Sequence, residues 1–258
     1  MGFFLFLVLA GSLVGFFSGL LGIGGGILML PLLHYLPQVF GFAPIGVKSI
    51  TGLTMVQGFF ASLSAMLFYQ RQGLVNRPLV LTLGLSLFTS SLAGSLVSKK
   101  VPDNILLFIF GMLAITASVL MLIPRSYEKD DLTADSVTFH KPVAISMGVV
   151  IGFLVGLVGQ GGAFITIPLM LYVLKIPLRV ALGSTLAIGL FSATAGTIGK
   201  VATGQVPFAM AAALLAGAIP VATAGAWVSK RTRTQHLRWL LAIIITATAL
   251  KIWADLFR

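Results

Sequence analysis

Long runs without a charged residue dominate this chain. Residues 1–47, 104–124 and 201–229 contain no Asp, Glu, Lys or Arg. A helix needs about 20 predominantly apolar residues to cross the hydrocarbon core of a bilayer. Only 9% of all residues are charged, against about 25% in soluble domains, and that is too few to cover a water-soluble surface. The sequence therefore predicts an all-α polytopic membrane protein whose environment is a lipid bilayer.

The charge-free runs predict eight membrane segments. The first and fifth segments are too long for one simple helix, and the other six have the length of a single span. The predicted segments are residues 3–36, 46–70, 77–98, 103–123, 141–175, 178–200, 205–229 and 235–256.

An internal repeat relates the two halves of the chain. Residues 11–33, GSLVGFFSGLLGIGGGILMLPLL, align with residues 148–170, GVVIGFLVGLVGQGGAFITIPLM, and their glycines coincide. Further along, GSLVSKK at 94–100 aligns with GAWVSKR at 225–231 at a slightly shorter spacing. Repeats of this kind are common in membrane transporters. The sequence predicts two homologous four-segment repeats.

A polar linker separates the predicted repeats. It contains most of the acidic residues of the chain, which indicates a solvated connection. The predicted domains are a first transmembrane repeat over residues 1–124, a linker over 125–140 and a second transmembrane repeat over 141–258.

Glycines are predicted to break the first and fifth segments. The runs are LGIGGG at 21–26 and VGQGG at 158–162, and each Gly inside a helix costs about 1 kcal/mol. Unwound backbone at membrane depth persists only when it is buried in protein or lines a cavity. A half-helix that begins there directs free N–H groups and the positive end of its dipole at one spot, which favours an anion. The alternative interpretation is a purely structural kink.

Other glycines recur at every fourth residue before each break. Their spacing indicates close helix–helix packing rather than a ligand site. They are Gly11, Gly15 and Gly19 in the first half and Gly148, Gly152 and Gly156 in the second.

Hydroxyl and amide side chains near the breaks are candidates for a polar lining. The alternative is that these Ser and Thr residues bond to their own helix backbone. The predicted substrate-binding residues are Gly24, Gly25, Thr51, Thr54, Gln160, Gly161, Gly162, Ser184 and Thr185.

Acidic residues are confined to the ends of the predicted segments and to the linker. Carboxylates form most cation sites and proton relays inside membranes, so their absence from the interior argues against a cation substrate. The chain contains no Cys and three His. The sequence predicts no catalytic residue, no metal and no cofactor.

Together, the doubled motif GFFSGLLGIGGGILMLPLL and GFLVGLVGQGGAFITIPLM and the ALGSTLA segment at 181–187 resemble the sulfite exporter TauE/SafE-type permeases. The resemblance covers nearly the whole chain. It implies transport of sulfite, another small sulfur oxyanion or an organosulfonate across the cytoplasmic membrane of a prokaryote. The first half departs from the second, with GLTM at 52–55 where the second half has GSTL.

Several function classes compete at this point. The leading interpretation is a secondary transporter of a small anion, which the resemblance implies is an exporter. An anion channel and a non-transporting membrane scaffold are the alternatives. An intramembrane hydrolase is disfavoured because no Ser has a base at a suggestive spacing. The net charge of +11 does not indicate nucleic-acid binding, since the basic residues fall in short connections that orient membrane proteins.

Two short basic connections are expected to face the cytoplasm together. This follows from the positive-inside rule, provided that each long segment crosses the membrane once. If each long segment instead returned to its own side, the repeats would be inverted and these connections would lie on opposite faces. The residues concerned are Lys99, Lys100, Lys230, Arg231 and Arg233.

Overall fold

The computed structural model describes residues 2–70, 73–123, 137–159 and 162–256, and within these ranges the fold is entirely helical. A short 3₁₀ turn, Ser98–Lys100, follows the fourth helix. The helices are α1 (Gly2–Leu21), α2 (Gly26–Val39), α3 (Val47–Gln70), α4 (Arg77–Val97), α5 (Asp103–Leu122), α6 (Lys141–Val158), α7 (Ala163–Tyr172), α8 (Leu178–Ala202), α9 (Phe208–Arg231) and α10 (Thr234–Leu256).

Eight helices in the described ranges are long and apolar enough to cross a membrane, and α2 and α7 are shorter apolar helices. The all-α, multi-pass architecture predicted from the charge-free runs is therefore confirmed. Apolar side chains such as Leu67, Leu85 and Phe208 are 55–68% exposed on the outside of the bundle, which suits contact with lipid tails.

Glycines form the connection between α1 and α2. The first helix ends at Leu21 and the second begins at Gly26. Between them Gly22, Gly24 and Gly25 have φ angles of 65°, 63° and 77°. Residues with a side chain lose about 1–2 kcal/mol in this left-handed region, so glycine is required here.

A similar connection joins α6 to α7. The helices end at Val158 and begin at Ala163, and Gly159 and Gly162 have φ angles of 72° and 75°. Residues 160–161 lie outside the described part of the chain.

Each of these pairs returns to the side from which it entered. The ring of Phe3, at the start of α1, lies 5.3 Å from the ring of Phe42, just beyond α2. Phe6 and Phe40 make a second such contact at 5.9 Å. In the other pair, one surface cavity is lined both by residues at the start of α6 and by Leu174 just beyond α7.

Helix α8 joins the two ends of the bundle. At 25 residues it is about 37 Å long. Near its start, Arg179 Nε donates to Thr234 Oγ1 at 3.1 Å. Near its end, Lys200 Nζ donates to Ser98 Oγ at 2.8 Å. We call these the Arg179 end and the Lys200 end of the bundle.

The two basic connections therefore lie at opposite ends. Lys99 and Lys100 follow Ser98 at the Lys200 end, whereas Lys230 and Arg231 precede Thr234 at the Arg179 end. The expectation that both face the cytoplasm is wrong. The pairs α1–α2 and α6–α7 each return to their own side, so the chain crosses the bundle only with α5, α8 and α9 between the two basic connections. Three crossings place these connections at opposite ends.

The glycines at every fourth residue pack two helix pairs closely, as predicted. A Cβ atom at Gly15 of α1 would lie 2.6 Å from the Ala218 carbonyl oxygen of α9. A Cβ atom at Gly156 of α6 would overlap the carbonyl oxygen of Ser91 of α4. No side chain fits between these backbones.

The charge distribution predicts an orientation for the bundle, in which the Arg179 end faces the cytoplasm by the positive-inside rule. That end contains more basic residues than the Lys200 end. Basic residues of the Arg179 end are Arg77, Lys141, Lys175, Arg179, Lys230, Arg231, Arg233 and Arg238, and those of the Lys200 end are Lys48, Lys99, Lys100 and Lys251 besides the buried Lys200.

Single cysteines test this orientation cleanly, because the natural chain has none. We expect Lys99→Cys to react with a membrane-impermeant maleimide added to intact cells, and Lys230→Cys to react only after the membrane is opened. Reaction of both positions from outside, or protection of both, would contradict the arrangement of the helices.

Candidate functional site

The start of α2 is a helix N-terminus inside the bundle that lacks a side-chain cap. Its N-cap residue is Gly25, which makes no side-chain hydrogen bond. The Gly25 carbonyl oxygen accepts from the N–H groups of Leu28 and Met29. The N–H groups that precede these have no partner within the helix, and the helix dipole adds about half a positive charge at this point.

The amide of Gln57 lies against this N-terminus. A Cβ atom at Gly25 would be 2.9 Å from Gln57 Oε1 and 3.1 Å from Nε2. The Gln57 side chain is 1% exposed, and neither amide atom has a hydrogen-bond partner among the described residues. Buried amides without partners are rare because each costs about 1–3 kcal/mol. The amide is therefore available to a ligand.

Two hydroxyls extend the polar character of this region. Ser18 is fully buried, and its Oγ also has no partner among the described residues. It follows Val14 by one turn of α1, and a Cβ atom at Gly25 would touch Val14. Ser62 Oγ lies 3.5 Å from the Cβ position of Gly24. We call Gly24, Gly25, Gln57 and Ser18 the α2 site.

A buried lysine lies beside the second break. Lys200 is fully buried, and its Nζ donates to Thr51 Oγ1 at 3.0 Å, Ser98 Oγ at 2.8 Å, the Leu157 carbonyl at 3.2 Å and Gln205 Oε1 at 3.2 Å. We call these five residues the Lys200 cluster.

The second break abuts the Lys200 cluster directly. A Cβ atom at Gly159 would lie 2.5 Å from the Cβ and carbonyl oxygen of Thr51. Among the described residues, every hydrogen bond of Lys200 Nζ goes to a neutral oxygen. The nearest ion pair is between Lys48 and Asp103 at 3.9 Å, and both of its side chains are partly exposed.

The predicted site residues do not include Lys200, because the predicted segment 178–200 ends at this residue. Helix α8 continues to Ala202, which places the lysine inside the bundle. The signal was present, since Lys200 is the only charged residue between Arg179 and Lys230. An ionisable residue within a membrane span is a candidate functional group by default.

The predicted hydroxyls do not form a single shell. Thr51 lies in the Lys200 cluster, whereas Ser184 Oγ accepts from the Asn76 N–H at 3.0 Å near the Arg179 end. Ser184 and Lys200 are 16 residues apart on α8, which is about 24 Å. The structure thus distributes these residues between two places.

Two other predicted hydroxyls bond to their own helices. Thr54 donates to the Ile50 carbonyl at 2.7 Å, and Thr185 donates to the Ala181 carbonyl. These are the local backbone bonds that Ser and Thr commonly make in membrane helices. Gly162 caps α7 and faces Val155, while Gln160 and Gly161 lie outside the described residues.

The described residues offer no cluster of three or more His, Asp or Glu side chains that could hold a metal ion. Both places contain hydrogen-bond donors: backbone N–H groups, side-chain amides, hydroxyls and one lysine amine. Donors of this kind bind anions. The Leu157 carbonyl and Gln205 Oε1 are acceptors that are already bonded to Lys200.

Comparisons with known proteins show the family of the chain. The family model for Sulfite exporter TauE/SafE matches residues 7–252. The probable membrane transporter protein YunE of Bacillus subtilis is 26% identical over 94% of both chains. A probable membrane transporter protein of Methanocaldococcus jannaschii is 30% identical over 93% of this chain and 91% of its own. No solved structure gives a significant match.

Two glycines provide a matched test of the contact around Gly25. Gly25 and Gly41 both have positive φ, at 77° and 75°, but a Cβ atom at Gly41 would meet nothing within 4 Å. We expect Gly25→Ala to lower the free energy of unfolding by about 1–3 kcal/mol more than Gly41→Ala, because it also overpacks Val14 and Gln57. Equal melting temperatures for the two variants in detergent would show that Gly25 is not enclosed.

Proposed function

Since the chain belongs to the sulfite exporter TauE/SafE family, we propose that this multi-pass membrane transporter carries a small anion by secondary transport in the export direction. Sulfite is the leading substrate, and other sulfur oxyanions and organosulfonates share its charge and size. The relatives are named probable membrane transporters and come from both bacteria and an archaeon, which supports a place in a prokaryotic cytoplasmic membrane.

The unpartnered Gln57 amide at the uncapped start of α2 is the observation that carries this proposal. The amide N–H₂ of Gln57 and the free N–H groups of α2 can donate to one anion, and the Ser18 hydroxyl is a further buried donor in this part of the bundle. Asp103 and Asp255, the acidic residues of the described spans, belong to helix ends. A cation at this place would find no carboxylate to compensate its charge.

Neutral donors suit a substrate that must also leave. A fixed positive charge in a medium of low dielectric would hold an anion strongly, whereas dipoles replace part of its hydration shell and release it again. Hydrogen bonds to a charged group contribute about 1.5–3 kcal/mol each. A few of them give an affinity that still permits turnover.

Inverted duplication of the two halves, 1–124 and 141–258 around the linker, is part of the proposal. Matched contacts support it. Gly22 at the first break would meet the Leu182 backbone of α8, and Gly159 at the second would meet the Thr51 backbone of α3. In the alignment of the halves, Gly22 corresponds to Gly159 and Thr51 corresponds to Leu182. Each break therefore packs on the other half, as expected for a substrate pathway between two repeats.

Replacement of Gln57 tests the function. We expect Gln57→Leu to weaken sulfite transport in proteoliposomes about 10- to 100-fold, which is the loss of one charged hydrogen bond, and Gln57→Glu to abolish it by repulsion. Gln38→Leu is the matched control, because the Gln38 amide bonds to the His34 carbonyl at an exposed position.

Two results would overturn the proposal. If the parent protein moves neither sulfite nor isethionate (an unreactive organosulfonate) at a rate above empty liposomes, the substrate class is wrong. If Gln57→Glu transports sulfite like the parent, the anion does not pass the α2 site.

A further inference from the structure

Lys200 donates hydrogen bonds to four separate parts of the chain. Its acceptors are in α3 (Thr51), in the 3₁₀ turn (Ser98), at the end of α6 (Leu157) and in the connection after α8 (Gln205). The side chain is completely buried. A lysine in such a position is expensive, and a purely apolar residue would pack these helices at lower cost.

The neutral oxygens accept the hydrogen bonds of this lysine but do not compensate a positive charge on it. Hydroxyl, amide and carbonyl oxygens carry only partial charge, and no carboxylate among the described residues bonds to Nζ. Buried charges are ordinarily paired with an opposite charge. An anion that reached the cluster would supply that pairing.

We propose that Lys200 is a second anion-binding residue of the transport pathway, at the Lys200 end of the bundle. The inference rests on the proposed transport of a small anion. It adds a site of different character: the α2 site holds the anion with neutral donors, and the Lys200 cluster holds it with a lysine amine whose ammonium form the arriving anion stabilises.

The hydrogen bonds of the cluster permit exchange of one acceptor for an anion. An ammonium group has three protons, and four acceptors lie within 3.2 Å of Nζ. Gln205 also donates to Ser98 Oγ at 3.1 Å and to Thr203 Oγ1 at 2.7 Å. When an anion oxygen displaces Gln205 Oε1 from the lysine, the Gln205 amide therefore keeps its other bonds.

The two sites are close enough to act in sequence. Thr51 of the Lys200 cluster and Gln57 of the α2 site are six residues apart on α3, about 9 Å along the helix axis. An anion can leave the neutral donors of Gln57 and move toward the positive charge of Lys200. The neutral oxygens around the ammonium compete with the anion there and favour its release.

Gln205→Glu tests the role of the charge with Lys200 left in place. The new carboxylate would lie where Oε1 is now, 3.2 Å from Nζ, and would neutralise the lysine permanently. We expect isethionate transport to fall about 10- to 100-fold, while the melting temperature stays equal or rises because a buried ion pair has formed. Gln38→Glu adds the same charge at an exposed position and should transport normally.

Chemical rescue at position 200 gives an independent readout. Lys200→Cys in this cysteine-free chain should lose transport to the same extent. Alkylation with 2-bromoethylamine produces a lysine analogue and should restore at least a third of the parent rate, whereas iodoacetamide adds a neutral group and should not. Lys100→Cys, treated identically, is the control for an exposed lysine of the same end.

The outcomes separate this inference from the proposed function. Normal isethionate transport by Gln205→Glu, or equal rescue by both reagents, overturns a binding role for Lys200. If Gln57→Leu remains defective in the same preparations, the proposed function stands without a binding role for Lys200. Absence of isethionate and sulfite transport in the parent overturns both.

Discussion

The bilayer cannot hydrogen-bond a peptide group, and the fold depends on that constraint. Each N–H and carbonyl at membrane depth must find a partner in the protein. Ten helices satisfy most of them within the described ranges, and the glycines between α1 and α2 and those at Gly159 and Gly162 are the exceptions. At each of these places the chain turns back toward the side from which it came. At the start of α2 the turn leaves backbone N–H donors inside the bundle without a side-chain cap.

Close packing of the two halves makes these exceptions tolerable. The stripes of glycine on α1 and α6 allow the backbones of α9 and α4 to approach them directly, and van der Waals contact is what holds helices together in lipid. Each break then packs on a helix from the other half of the chain. The Lys200 cluster contains residues of both halves, so a rocking motion of one half against the other would change its exposure. The α2 site is formed by residues of the first half, beside the break that packs on α8.

The sequence predicts the membrane helices well but does not predict how they are arranged in the bundle. Charge-free runs located the eight spans, because burial in lipid excludes charge along the whole of a helix. The side of each connection could not be predicted, because the return of α2 depends on tertiary contacts such as that between Phe3 and Phe42. Lys200 is absent from the predicted site because the predicted segment 178–200 ends at it, and only the continuation of α8 to Ala202 and the packing around its side chain place it inside the bundle. Thr54 and Thr185 were chosen for their hydroxyls, but a hydroxyl in a helix can always bond to the preceding turn.

A crystal structure with an anomalously scattering anion tests the central claim most directly, namely that neutral donors at the start of α2 bind the substrate. Selenite, the heavier analogue of sulfite, would be introduced into crystals of the unmodified protein. The account predicts an anomalous peak within hydrogen-bond distance of Gln57 Nε2 and of the Gly26 N–H, and its loss in Gln57→Leu. A fully occupied selenite elsewhere in the bundle, with the start of α2 empty, would contradict it.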